Sequence, residues 1–397
     1  MDFSLSDEQR ELQKWAHGFA QDEIRPVAAS YDESEDFPWP VLSKAAEIGL
    51  YSAEYYGQTQ SDPTGLSMPI AMEEIFWGCA GIGLAIFGTG LPLSAIAAGG
   101  TAEQWSWMPR MFGTPDEPKV AAFCVTEPGA GSDVSSLRTK AERVDGGWVL
   151  NGQKVFITNG GIADVHIVVA TVDPELGVRG QATFIVSKDD NPGLKQGKKE
   201  RKLGIRASHT AEVLLEDCFV PSEQLLGGDD KLASKLERAR SGERSRGSTA
   251  LRTFEITRPL VACQAVGIAR AALEFAVDYA KERKTFGVPI AQHQGVAFQL
   301  ADMATEVDAA RLLVHRASWM AASGQPFERA EGSMSKLKAG EVAVKVTDQA
   351  IQVLGGYGYI KDFPVEKYHR DAKIYTLFEG TSEIQRVVIS RALTGTH

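Results

Sequence analysis

Lys119-Val120-Ala121-Ala122-Phe123-Cys124-Val125-Thr126-Glu127-Pro128-Gly129-Ala130-Gly131-Ser132-Asp133 is the stretch where the texture of the chain changes. Val120 to Val125 is an unbroken apolar run closed by a Pro- and Gly-rich turn, the pattern of a buried strand. Upstream the pattern is helical. Ser6-Asp7-Glu8-Gln9 forms a capping box, and Leu12, Trp15, Ala16 and Phe19 follow at helical spacing. Similar patterns cover 40–50, 70–78 and 102–111, separated by short Gly, Pro and Asp turns. Downstream the strands continue. The run from Trp148 to Thr158 predicts a hairpin turning at Asn151-Gly152, with further strands over 166–172, 182–187 and 211–220. After Pro221 the chain is helical again, with three long Ala-rich helices expected over 259–283, 294–323 and 333–354. Helices, then strands, then helices define an α+β class. The expected units are helices over 1–119, a β unit (barrel or sandwich) over 120–232, and a four-helix bundle over 233–397. The βαβ alternation of a doubly wound dinucleotide domain is absent.

The 397 residues carry a net charge of −10, so a phosphate-binding nucleic-acid surface is not expected. Cys79, Cys124, Cys218 and Cys263 are widely spaced, which predicts buried free thiols rather than a disulfide framework or a metal site. The seven His do not cluster at ligand spacing, so no metal is expected. The acidic N-terminus lacks a targeting pattern, and 82–98, interrupted by Gly and Pro, is not expected to span a bilayer. A cytoplasmic protein follows, or a mitochondrial-matrix one if a presequence has been removed. From Lys235 to Arg252, six basic residues (Lys235, Arg238, Arg240, Arg244, Arg246, Arg252) face two acidic ones, and a solvated surface loop is expected.

Chemistry concentrates at five places. The turn after Val125 can aim backbone N–H groups, with Thr126 and Ser132, at an anionic or polar ligand. Phe156-Ile157-Thr158 ends a strand with an aromatic and a hydroxyl, suited to flanking a flat ring or simply to closing a hairpin. Arg283 to Gly287 and Gln352 to Gly358 end helices in cations and glycines, where dipole and capping explanations stand beside binding ones. Ile374-Tyr375-Thr376-Leu377-Phe378-Glu379-Gly380-Thr381-Ser382 puts a carboxylate between an apolar run and a helix start capped by Thr381 or Ser382. Desolvation there raises a carboxylate toward general-base range; the plainer role is as a partner of the helix dipole.

Together, in this order, these motifs resemble the acyl-CoA dehydrogenase family from Phe3 to Arg391. The segments from Cys124 to Ser136 and from Gln352 to Asp371, then Phe378-Glu379-Gly380-Thr381, carry the likeness. The resemblance implies FAD between the β unit and the bundle. Phe123, Val125, Thr126, Ser132, Phe156, Ile157, Thr158, Thr381 and Glu383 would lie on the subunit's own FAD. Arg283, Phe286, Gln294, Gln352, Gly355 and Gly356 would reach that of a neighbour in a homotetramer, a dimer of dimers. Ser132, Phe254, Glu255, Arg258, Phe378 and Gly380 would meet the acyl-CoA, and the 235–252 segment would adjoin CoA, where gripping its phosphates is the sharper alternative to a solvated loop. Glu379 would take the α-proton while hydride leaves the β-carbon, with the Glu379 N–H steadying the thioester oxygen. The base position used by other branches is Thr257 here. The product would be a trans-2-enoyl-CoA, with electrons passed to an electron-transferring flavoprotein. An acyl-CoA oxidase and a non-catalytic partner subunit are the alternatives. Gly83 is expected to deepen the acyl pocket and Phe87 to shorten or bend it, while Tyr55-Tyr56-Gly57-Gln58 has no assigned role.

Overall fold

The computed structural model describes residues 4–242 and 249–395; the side chains at 60 and 249–256 lie outside that description. Helices α1 (Asp7–Phe19), α2 (Ala28–Ser34), α3 (Trp39–Glu47), α4 (Ala53–Gln60), α5 (Ser67–Gly78), α6 (Ala80–Phe87), α7 (Gly90–Gly99) and α8 (Met108–Phe112) precede the strands. The Ser6 capping box is formed in full: Gln9 N–H donates to the Ser6 hydroxyl at 3.2 Å, and the Gln9 amide oxygen accepts from Ser6 N–H at 3.0 Å. The helix expected over 102–111 is a 3₁₀ turn, Glu103–Trp107, running into α8.

The strands are β1 (Ala121–Cys124), β2 (Lys140–Val144), β3 (Gly147–Thr158), β4 (Val165–Thr171), β5 (Gln181–Ser187), β6 (Leu194–Lys199) and β7 (Thr210–Pro221). They form one curled mixed sheet in the order β1-β4-β2-β3-β7-β6, with β5 antiparallel to β4 and β1 parallel to it. β4 and β5 are buried along their whole length, which is why they read as nearly continuous apolar runs. The polar β6, Leu-Lys-Gln-Gly-Lys-Lys, is an edge strand with one buried residue and gave no apolar signal.

The hairpin expected at Asn151-Gly152 is elsewhere. β2 and β3 turn at Asp145-Gly146, where Gly146 has φ +76°, and β3 continues straight through Asn151. Asn151 and Gly152 mark instead a register shift against β7, pinned by Asp217 N–H donating to the Asn151 side-chain oxygen at 2.8 Å.

The C-terminal part contains α9 (Gly228–Arg240), α10 (Thr249–Glu282), a small hairpin of β8 (Lys284–Thr285) and β9 (Val288–Pro289), α11 (Gln294–Ala322), α12 (Glu331–Leu354), α13 (Val365–Ala372) and α14 (Ser382–Thr394). α10, α11 and α12 pack mutually, α14 lies on α12, and α10 also packs on α5. The expected 232/233 boundary falls inside α9. The surface loop expected from 235 begins as helix: Lys235 is half-buried and donates to Gln181 O at 2.5 Å, and Arg240 pairs with Asp173 at 2.9 Å. Arg244 and Arg246 fall outside the described residues.

Two stretches, Ala80–Gly99 and Thr257–Glu282, are long and apolar enough to cross a membrane, contrary to the sequence expectation. Their most apolar windows are 72% and 67% buried within the protein, as core helices are. All four cysteines are buried free thiols.

Candidate active site

Three elements bring Glu379 to its place. Asp371 on α13 accepts from Ile205 N–H at 2.5 Å and from Lys367 Nζ at 2.6 Å, tying the helix to the loop between β6 and β7. The 3₁₀ turn Lys373–Thr376 then passes over α12 at Gly340, where a Cβ would stand 2.5 Å from Tyr375 O. Any larger residue at 340 would push that turn, and Glu379 with it, off the bundle. Glu379 itself has φ +53° and Gly380 φ +88°, so the chain reverses between the turn and α14. A left-handed glutamate is uncommon and strained enough to need support. Support comes from Gln385, whose amide donates to Glu379 O at 3.2 Å and Gly380 O at 2.9 Å, and from Lys336 Nζ, which donates to Gly380 O at 2.7 Å. Thr381 is the N-cap of α14, its hydroxyl accepting from Ile384 N–H at 3.2 Å.

The Glu379 side chain faces a cavity of about 240 Å³ (space open to the centre of a water molecule) bounded by Tyr56, Met72, Phe87, Thr158, Leu260 and Gln264, among others. Thr257 Oγ1 donates to Glu379 Oε2 at 3.1 Å. Burial pushes the carboxyl above its ordinary 4.5; the Thr257 hydrogen bond and the Lys336 and Arg258 charges pull it back without cancelling that rise. Burial likewise lowers Lys336 to about 8, although the Glu379 charge opposes this. The Glu379 backbone N–H donates to nothing among the described residues. A half-buried N–H left open beside a cavity is a waiting hydrogen-bond donor.

Val125 and Thr126 are held against the end of β3 that carries Phe156, Ile157 and Thr158, and of these Thr158 lines the cavity. Val155 N–H donates to Thr126 O at 2.9 Å, and the wholly buried Lys154 Nζ donates to Val125 O at 2.9 Å and Glu127 Oε1 at 2.8 Å. Phe156 sits at φ +59° in a register break of β3 against β7 and is 66% exposed. An aromatic held in left-handed backbone and exposed beside a loop offers a flat face against which a planar ring can pack. The loop keeps its own polar groups engaged by a Glu127–Ala130 bridge, while Gly129 and Gly131 have open space around them.

These features coincide with what three comparisons find. Residues 6–113, 122–218 and 246–394 match the N-terminal, middle and C-terminal domains of acyl-CoA dehydrogenases. The chain belongs to the acyl-CoA dehydrogenase family. An acyl-CoA dehydrogenase of Bacillus subtilis is 40% identical over 396 residues, covering 98% of this chain and 99% of that protein. The structure of butyryl-CoA dehydrogenase from Megasphaera elsdenii superposes with a TM-score of 0.88 at 37% identity, covering 99% and 100% of the two chains. A FAD complex of PigA matches with a TM-score of 0.85 at 27% identity over the full length of both.

FAD is the cofactor of this acyl-CoA dehydrogenase family member, and the residues fit it: an exposed, strained aromatic, a Gly-rich loop with room for close approach, and Thr158 shared with the Glu379 cavity. Arg283, Gly355 and Gly356 line a different cavity of about 460 Å³ with Tyr279, Tyr357 and Ile360. Phe286, at φ +52° on the tip of the β8–β9 hairpin, is 97% exposed, and Gln294 and Gln352 are exposed helix-end residues. Phe123 is buried in β1, while Ser132 and Glu383 are exposed and outside the lining of the Glu379 cavity.

Arg258, expected beside CoA, is buried and donates through Nη1 to Ser333 Oγ at 3.0 Å. Two readings near the acyl pocket change. Gly83 does not deepen the cavity: a Cβ there would meet the Phe76 ring at 2.9 Å, so Phe76 already fills the space. Tyr56, which had no role, lines the cavity with its hydroxyl donating to Phe87 O at 3.3 Å. The side chains of Phe254 and Glu255 lie outside the described residues. Lys336 and the Lys154–Glu127 pair escaped the sequence reading because each lies far along the chain from the group it holds; Gln385 is near Glu379 and Gly380 in sequence, but its contact depends on the left-handed reversal at those two residues. Among the described residues no cluster of His, Cys, Asp and Glu could hold a metal ion.

Proposed function

We propose that the protein catalyses α,β-dehydrogenation of a saturated acyl-CoA, as in fatty-acid β-oxidation, giving a trans-2-enoyl-CoA. The observation that carries the reading is one carboxylate in a largely apolar cavity, its basicity raised by burial, sharing that cavity with the Thr158 end of the flavin segment. FAD supplies the acceptor for the hydride that leaves the β-carbon. Glu379 takes the α-proton. Its free backbone N–H meets the thioester oxygen, where negative charge grows as that proton departs. Thr257 holds Oε2, and Lys336 with Gln385 fixes the strained Glu379-Gly380 backbone. Phe378 and Gly380 border the thioester, and Ser132 reaches the flavin or pantetheine side.

Val125, Thr126, Phe156, Ile157 and Thr158 hold the flavin ring, with Thr381 and Glu383 on the dinucleotide. Arg283, Phe286, Gln294, Gln352, Gly355 and Gly356 complete the FAD site of a neighbouring copy in a homotetramer; the lining of a separate open cavity by Arg283, Gly355 and Gly356 supports this. Electrons leave to an electron-transferring flavoprotein.

Glu379→Gln tests the reading. The purified variant should stay yellow and bleach with butyryl- to octanoyl-CoA about 10³-fold more slowly than wild type, the loss expected of a general base. Bleaching at an undiminished rate would overturn it.

A further inference from the structure

The acyl cavity has a wall written along one helix face. Thr257, Leu260, Val261 and Gln264 stand at i, i+3, i+4 and i+7 of α10, and all four line the cavity. Thr257 touches Glu379, so Gln264 lies two turns further on, about 10 Å along the axis. A plain alkyl chain would favour apolar groups along this whole strip. Leu260 and Val261 conform; Gln264 does not.

Most other polar side chains at this cavity are turned away to partners of their own. Thr59 Oγ1 donates to Tyr55 O at 3.0 Å, Ser94 Oγ to Gly90 O at 2.8 Å, and the Tyr56 hydroxyl to Phe87 O. The Asp62 carboxylate accepts from the N–H groups of Thr64, Leu66 and Ser67 and from both neighbouring hydroxyls. Gln264 differs. It is only 5% exposed; its Oε1 accepts from the Tyr375 hydroxyl at 3.2 Å, and its amide NH₂ donates to nothing among the described residues. Because Gln264 lines the cavity, that amide is open to an acceptor brought in by a ligand.

We infer that the cavity takes an acyl group carrying an oxygen, as hydroxyl, oxo or ether, in the part of its chain remote from the thioester, and that Gln264 Nε2 donates to that oxygen. The inference rests on the proposed dehydrogenation and names the substrate class of the same site. The reacting carbons stay with Glu379 and Thr158, the stretch beyond them packs on Leu260, Val261 and Phe87, and the oxygen meets the amide.

The test compares hexanoyl-CoA with 6-hydroxyhexanoyl-CoA and octanoyl-CoA with 8-hydroxyoctanoyl-CoA. The readout is kcat/KM, with a chemical electron acceptor, for wild type, Gln264→Leu and Gln264→Met. Flavin content checks that each variant is folded, and the unbranched Met guards against a packing defect with Leu. In wild type at least one hydroxylated member should exceed its alkyl partner by roughly three- to tenfold, the worth of one neutral hydrogen bond. Both variants should invert that ratio, chiefly through KM for the hydroxylated substrate. A wild-type ratio at or below one for both pairs, or a ratio unchanged in the variants, overturns the assignment while leaving dehydrogenation standing. If neither member of either pair bleaches the flavin, dehydrogenation itself is wrong and this inference falls with it.

Discussion

Glu127 and Glu379 are two carboxylates of similar sequence character, each closing a largely apolar run, Glu379 directly before Gly380 and Glu127 before Pro128-Gly129, and the fold gives them opposite chemistry. Glu127 is saturated: Lys154 Nζ lies at 2.8 Å, and the N–H groups of Arg138 and Thr139 donate at 2.6 and 2.9 Å. Burial raises its carboxyl, but Lys154 and these donors outweigh the rise and hold it below 4.5. Glu379 also has a buried lysine within reach of its field, yet Lys336 spends its short hydrogen bond on Gly380 O, leaving the carboxylate one hydroxyl partner. Burial therefore prevails and the carboxyl rises. A glutamate becomes a base or a brace according to where the nearest ammonium points.

The contrast is broken most severely at Glu127. Glu127→Gln strands Lys154, which has no exposed side-chain surface, and should cost about 3–5 kcal/mol of stability at pH 7. The sign of the pH dependence follows from the lowered carboxyl. The contribution of Glu127 is present above the unfolded value near 4.5 and is lost as pH falls through the lower folded value, so the variant's deficit should shrink only in strong acid. Denaturant melts at pH 7 and pH 3 measure this; equal stability of variant and wild type at pH 7 would show that the pair braces nothing.

Glu379→Gln should move stability the other way. A carboxyl raised on folding opposes folding above its folded value, and this penalty fades as pH falls toward 4.5. The dead enzyme should therefore melt about 1–3 °C higher than wild type at pH 7, with the gap closing as pH falls through the raised Glu379 value. A lower melting temperature would mean that the Glu379 charge is needed by Lys336 and Arg258 and that its wiring resembles that of Glu127 after all.

Sequence periodicity located β1, β4, β5, β7 and the three long bundle helices, because burial on one or both faces writes itself as apolar pattern. Two elements left no such mark: β6, a lysine-rich edge, and α9, whose start was masked by acidic residues and whose basic C-terminal half read as loop. The hairpin error has a similar origin. Asn151-Gly152 and Asp145-Gly146 are equal turn signals locally, and only pairing with β7 decides between them. At the site, local spacing left Glu379 open between a base and a partner of the helix dipole, and offered Thr381 or Ser382 as the cap, of which the fold uses Thr381. The partners that set the behaviour of Glu379 were not legible locally: Thr257 reaches it across 122 residues and Lys336 reaches its neighbour across 44. Phe156 was readable as an aromatic at a strand end, but its left-handed backbone belongs to the register break with β7.

The finest probe of the comparison is Thr257→Val, which keeps the shape of the side chain and removes one donor. The Thr257 hydrogen bond favours the ionised form of Glu379, so its loss should raise the carboxyl further. Under the proposed reaction the deprotonated carboxylate is the active form, so the acid limb of the kcat/KM profile should shift to higher pH. On the plateau above it, kcat should fall by no more than roughly two- to tenfold, the worth of a single positioning hydrogen bond. Measured with one acyl-CoA from pH 5 to 9, this separates tuning from scaffolding. A merely structural threonine would lower the plateau or the stability and leave the limb where it was. A limb moving to lower pH would mean that desolvation by the cavity wall is not what governs Glu379.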